Sequence, residues 1–118
     1  MERCKTKALG KIQLGLNYRL LLSQEAESDI QEAVEWYENQ RGGLGFEFAL
    51  AFEESLQFLE TNPKIYAAVY KEVRSVSMKK FPYSIFFIIS DSENEVKVFA
   101  VVHTSRNPDI WQTRSDLA

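Results

Sequence analysis

A chain of 118 residues with 45% hydrophobic content makes one domain, long enough to bury a single core and too short for two. Its only cysteine, Cys4, excludes an internal disulfide and a cysteine-based metal cluster, which fits a reducing compartment and makes the cytoplasm the expected location. The formal net charge of -3 hides an uneven distribution: residues 25 to 60 carry ten acids against one base, and residues 64 to 114 carry eight bases against five acids. The acidic half argues against broad binding to polyanions, and any nucleic-acid contact is expected in the second half.

The first seventeen residues start basic and include scattered apolar residues, but Lys11 and Gln13 interrupt the run, so neither a signal peptide nor a membrane span is expected. Residues 1–17 are expected to form a poorly ordered extension and residues 18–114 the folded domain. The apolar run "YRLLLS" suits a buried strand over about residues 18 to 23. Helical spacing follows, with Ala26, Ile30, Ala33, Val34 and Tyr37 on one face, the acids opposite and Ser23 as N-cap. "RGGLG" ends this helix in a tight turn. Phe48, Ala49, Phe52, Leu56 and Leu59 then form a second stripe, stopped by "TNP".

Two amphipathic helices in a hairpin need a sheet to cover. Three segments with period two supply it: "VRSVSM" (73 to 78), "YSIFFIIS" (83 to 90) and "EVKVFAVVH" (95 to 103), joined by short polar turns. Simple alternation places Val96, Val98, Ala100 and Val102 on one face of the last strand, with Lys97, Phe99, Val101 and His103 on the other. The expected fold is α+β, in the order β-α-α-β-β-β, with a helical hairpin on a mainly antiparallel four-stranded sheet.

Chemistry rests on few residues. "GGLG" lies between two helices and is a cap, not a phosphate loop, and one histidine among helix-face carboxylates makes no metal site. Ser105 and His103 are too close in sequence for a triad, and no strand-to-helix elbow surrounds the serine. What remains is Arg74, Lys79, Lys80, Tyr83, His103 and Arg106. Arg and Lys can hold a phosphate while His or Tyr moves a proton, so RNA cleavage without metal is chemically possible. The plain alternative is a set of surface residues around strand ends, with Tyr83 half-buried and His103 hydrogen-bonding to backbone. Trp36 falls off the stripe of the first helix and Trp111 follows the last strand, so both are candidate anchors for a partner.

The element order, the glycine turn between the helices, the run "RSVSMKKFPY" and the terminal "HTSRNPDIW" together resemble the RelE/ParE superfamily of type II toxin-antitoxin toxins, most closely the ParE branch, also called plasmid stabilisation proteins. The resemblance covers about residues 18 to 114. It implies a small cytoplasmic toxin that arrests growth, needs no cofactor and is held inactive by an antitoxin whose flexible C-terminal part wraps it. Carried over by position, Arg74, Tyr83, His103 and Arg106 match the ParE-type pattern, with Lys79 and Lys80 just before "FPY", and Trp36 and Trp111 are expected to bind antitoxin. Two targets occur in the superfamily: DNA gyrase for ParE-like members, and mRNA on the ribosome for RelE-like endoribonucleases. The fold does not choose between them. The sparse basic set, and Trp111 lying beyond a proline, favour the gyrase target, in which case the protein is not an enzyme. A ribosome-dependent nuclease using His103 or Tyr83, and a non-toxic antitoxin-binding module, are the alternatives.

Overall fold

The computed structural model describes residues 18–105 and residue 114. In chain order it contains β1 (Arg19–Leu22), α1 (Gln24–Gln40), α2 (Leu44–Thr61), a single 3-10 turn (Pro63–Ile65), β2 (Ala68–Tyr70), β3 (Val73–Ser77), β4 (Tyr83–Ser90) and β5 (Glu95–His103). The strands form one sheet in the order β1-β5-β4-β3-β2. β1 lies parallel to β5, and every other pairing is antiparallel. The α+β architecture matches expectation, but the sheet has five strands, not four. The added strand, β2, is three residues long with a bulge against β3, too short to show an alternating pattern.

α1 starts as its sequence dictates: the Ser23 side chain accepts the Ala26 N–H at 3.0 Å, satisfying one of the donors left open at a helix start. The turn into α2 depends on Glu38. Its carboxylate accepts the Gly43 N–H at 3.0 Å and the Gly45 N–H at 3.0 Å, so a side chain from the end of α1 caps α2. Gly43 has φ 91°, a left-handed conformation that suits glycine. Gly45 is required for a different reason, because a Cβ there would lie 2.6 Å from the Val34 carbonyl oxygen of α1.

The hairpin covers one face of the sheet. Phe48, Phe52, Leu56 and Leu59 of α2 and Ala26 and Ala33 of α1 are buried against Ile85, Phe87, Val96, Val98 and Val101. Burial of this apolar surface is the main stabilising term, at about 25 cal/mol per Å² removed from water. On the opposite face, away from α1 and α2, Val73, Phe86, Ala100 and Val102 form a smaller cluster with Tyr70, Ile88 and Phe99.

The faces of β5 differ from simple alternation. Phe86 pairs with Ala100 but Phe87 pairs with Val98, so Phe99 is an extra residue in β5. This bulge shifts the register by one and inverts the facing of everything after it. Val96 and Val98 face the helices as a pair, but Ala100 and Val102 turn to the opposite face, and Val101 joins the helix side. The expected grouping of Val96, Val98, Ala100 and Val102 on one face is corrected accordingly.

Candidate functional site

His103 ends β5 directly opposite Tyr83, the first residue of β4. Their rings meet edge to face with centroids 5.2 Å apart. Tyr83 is only 7% exposed, a correction to its expected half-buried place, because it sits inside an aromatic cluster. Phe48 lies 5.1 Å from it and Tyr37 6.2 Å, with Phe81 packed on both. Backbone bonds brace the same corner: Tyr83 N–H donates to Phe81 C=O at 2.8 Å, and Thr104 N–H to Pro82 C=O at 2.8 Å. His103 Nδ1 accepts the Ser105 N–H at 3.1 Å. In a neutral ring that bond places the proton on Nε2.

The cations expected beside this pair divide. Lys79 and Lys80 occupy the adjoining turn, where Lys80 adopts a left-handed φ of 74°. Lys79 places its ammonium over the Phe58 ring of α2, 5.8 Å from the centroid. It rims a cavity of about 270 Å³ lined by Ala51, Phe58, Tyr66 and Val76. Arg74 is elsewhere. It pairs with Phe87, four residues along β4 from Tyr83 and so roughly 13 Å away. Its Nη1 donates to the carbonyls of Tyr66 at 2.7 Å and Lys64 at 3.2 Å, tying the 3-10 turn to the sheet.

The structure thus joins Tyr83 with His103, sets Lys79 and Lys80 in the turn before Tyr83, and places the Arg74 backbone four residues along the sheet from Tyr83. Arg106 and Trp111 lie outside the described residues. Trp36 is 47% exposed on α1, its ring edge-on to Tyr37 at 5.0 Å, as its place off the stripe implied. Phe46, Leu50 and Phe58 of α2 are also exposed, giving the hairpin a wider apolar surface than Trp36 alone. On the sheet face away from α1 and α2, Leu21, Val73, Ile88 and Phe99 line a groove of about 510 Å³, together with Lys71, Glu72 and Lys97.

The ionic contacts escaped the sequence, two of them informative. Asp29 of α1 and Arg114 form a two-pronged pair, Nη1 to Oδ2 at 2.7 Å and Nη2 to Oδ1 at 3.1 Å. The hydrogen bond to Asp29 raises the Arg114 pKa against the opposing effect of burial. On the surface, Lys64 and Asp91 meet at 2.9 Å, and their hydrogen bond raises the lysine and lowers the carboxyl. Partners 85 residues apart leave no local pattern in the sequence. Among the described residues no helix is long and apolar enough to cross a membrane.

Solved structures that share this architecture define a class. A structure of the chromosomal ParDE toxin-antitoxin system from P. aeruginosa superposes with a TM-score of 0.63 at 16% identity, covering 71% of this chain and 92% of the other. The isolated E. coli RelE toxin superposes with a TM-score of 0.54 at 12% identity, covering 86% and 99%. The fold is therefore that of the RelE/ParE toxins. No curated protein matches the chain by sequence. The profile of the family described as ParE toxin of type II toxin-antitoxin system, parDE, matches residues 20–108, and the chain belongs to that family.

Proposed function

We propose that this protein is the growth-arresting toxin of a toxin-antitoxin pair, that it acts on DNA gyrase without cutting nucleic acid, and that a cognate antitoxin holds it inactive in the cytoplasm. The observation that carries the gyrase target is the dispersal of the nuclease set. An RNA-cleaving site needs its phosphate clamps and its proton carrier around one scissile bond. Here Arg74 is bonded to carbonyls of its own chain, roughly 13 Å along the sheet from Tyr83, and Tyr83 is packed among aromatic rings. His103, with Lys79 and Lys80 in the neighbouring turn, forms a polar strand end suited to protein contact. The antitoxin would cover exposed apolar residues such as Trp36, Phe46 and Leu50.

The test combines gyrase and RNA readouts. Purified protein is titrated into a gyrase supercoiling assay, and RNA ends are mapped in cells induced without antitoxin. Loss of supercoiling with intact messages is the expected result. Codon-positioned cuts in translated mRNA that vanish in a folded His103→Ala variant would replace it with the ribosome-dependent nuclease. Expression without growth arrest would leave only an antitoxin-binding module.

A further inference from the structure

The facing of His103 is not set by β5 alone. Strict alternation would send Val101 and His103 away from Val96 and Val98, yet Val101 packs with them on the helix side and His103 meets the buried Tyr83. The extra residue Phe99 causes the inversion. A bulge also breaks the ladder and leaves its own backbone groups to find other partners. In this protein one ion pair takes up both. Phe99 C=O accepts from Arg114 Nη1 at 3.1 Å, and Val101 N–H donates to Asp29 Oδ2 at 3.0 Å. The same Oδ2 accepts Arg114 Nη1 at 2.7 Å. The side chains are 20% and 16% exposed, so they are shielded from water on most sides.

We infer that Asp29 and Arg114 are positioning residues for the His103 end of the sheet: their pair clamps the β5 bulge, and the clamped bulge holds His103 against Tyr83. The consequence for activity rests on the gyrase reading above; the consequence for geometry does not. The chemistry requires arginine at position 114. A planar fork bonds two carboxylate oxygens and a carbonyl together, whereas a lysine ammonium is a point charge on a flexible stem. The bulge can then lock only when α1, β5 and residue 114 are assembled.

A pair that merely stabilised α1 would lower the melting temperature and leave His103 in place, so the test reads His103 itself. The full chain is labelled for NMR as wild type, Arg114→Ala, Arg114→Lys and Asp29→Asn. For each, His103 ring resonances, exchange of the Val101 amide, the melting temperature and inhibition of supercoiling are recorded. In folded Arg114→Ala the His103 signals are expected to lose the displacement caused by the Tyr83 ring, and the Val101 amide to exchange roughly tenfold faster or more. The concentration needed to inhibit gyrase should rise roughly tenfold. Arg114→Lys should move every readout the same way by less. If Arg114→Ala does not fold, Asp29→Asn decides, since it keeps an acceptor for Val101 while loosening Arg114.

A folded variant without the pair whose His103 resonances stay at wild-type positions overturns the inference. Displaced His103 with undiminished inhibition overturns its functional half. Wild-type protein that spares gyrase would instead refute the proposed target, and the His103 resonances would still decide the positioning role.

Discussion

The three glycines of "RGGLG", two in the turn and one in the first turn of α2, look equivalent in sequence, yet alanine at each should have a different cost. At Gly45 the new Cβ would meet the Val34 carbonyl oxygen at 2.6 Å and Glu38 Oε1 at 3.0 Å. The first is backbone and cannot turn aside, so the overpacking penalty belongs near the top of its range, about 3 kcal/mol. Alanine regains about 1 kcal/mol of helix propensity, which leaves a net loss of about 2 kcal/mol. At Gly43 the space is open but φ is 91°. A left-handed alanine costs about 1–2 kcal/mol, partly offset by the stiffer unfolded chain, for a net loss of about 1 kcal/mol. At Gly42 the nearest atom is 3.9 Å away, and alanine should be neutral or slightly stabilising.

Unfolding entropy for a chain of this length converts each kcal/mol into about 4 °C of melting temperature. Calorimetry should therefore place Gly45→Ala about 8 °C below wild type, Gly43→Ala about 4 °C below, and Gly42→Ala at or just above it. A Gly45→Ala protein as stable as wild type, or a Gly42→Ala protein that falls equally far, would refute the close approach of the helices as the reason for Gly45.

Ser23→Ala removes the acceptor for the Ala26 N–H and should cost about 1 kcal/mol, read as a lower urea midpoint with an unchanged slope. The Asp91 carboxyl, held below its ordinary 3.8 by Lys64, should titrate by NMR with a midpoint under that value. Because the folded value is depressed, the stabilisation by this surface pair is present above pH 3.8 and lost as pH falls through the folded value. Lys64→Ala or high salt should each return the midpoint toward 3.8.

Where an element's signal was local, the sequence disclosed it. Ser23 caps α1, the stripes of both helices face the core, and the long strands fall within a residue of their expected bounds. β2 escaped because Ala68–Tyr70 is too short for alternation to register. The bulge at Phe99 escaped for another reason: "EVKVFAVVH" reads as an unbroken strand, and only its partners across the sheet and from α1 select the inversion. For the site, the sequence put Tyr83 and His103 at facing strand ends, but their ring contact depends on the Phe99 bulge, which it did not show. Nor was the separation of Arg74 legible, since a sequence lists a cation without showing which carbonyls it will reach. Glu38 likewise looked like one more solvated acid until the turn folded its carboxylate onto Gly43 and Gly45.

The parallel pairing of β1 with β5 has a consequence for synthesis. Leu22 is matched with Val98, 76 residues later, so the first strand has no neighbour in the sheet until the last strand has been made. At about 5–20 residues per second, that interval is roughly 4–15 s on the ribosome. Through it the helical hairpin must carry Phe48, Phe52 and Leu59 without Val96, Val98 and Val101 of β5, which complete the core around them. Completion is then sudden, because β5 supplies a partner to β1, a partner to β4 and the His103 corner in one addition. A chain stopped short of residue 95 lacks the strand that joins β1 to β4 and carries His103, so premature termination should yield a protease-sensitive, inactive product.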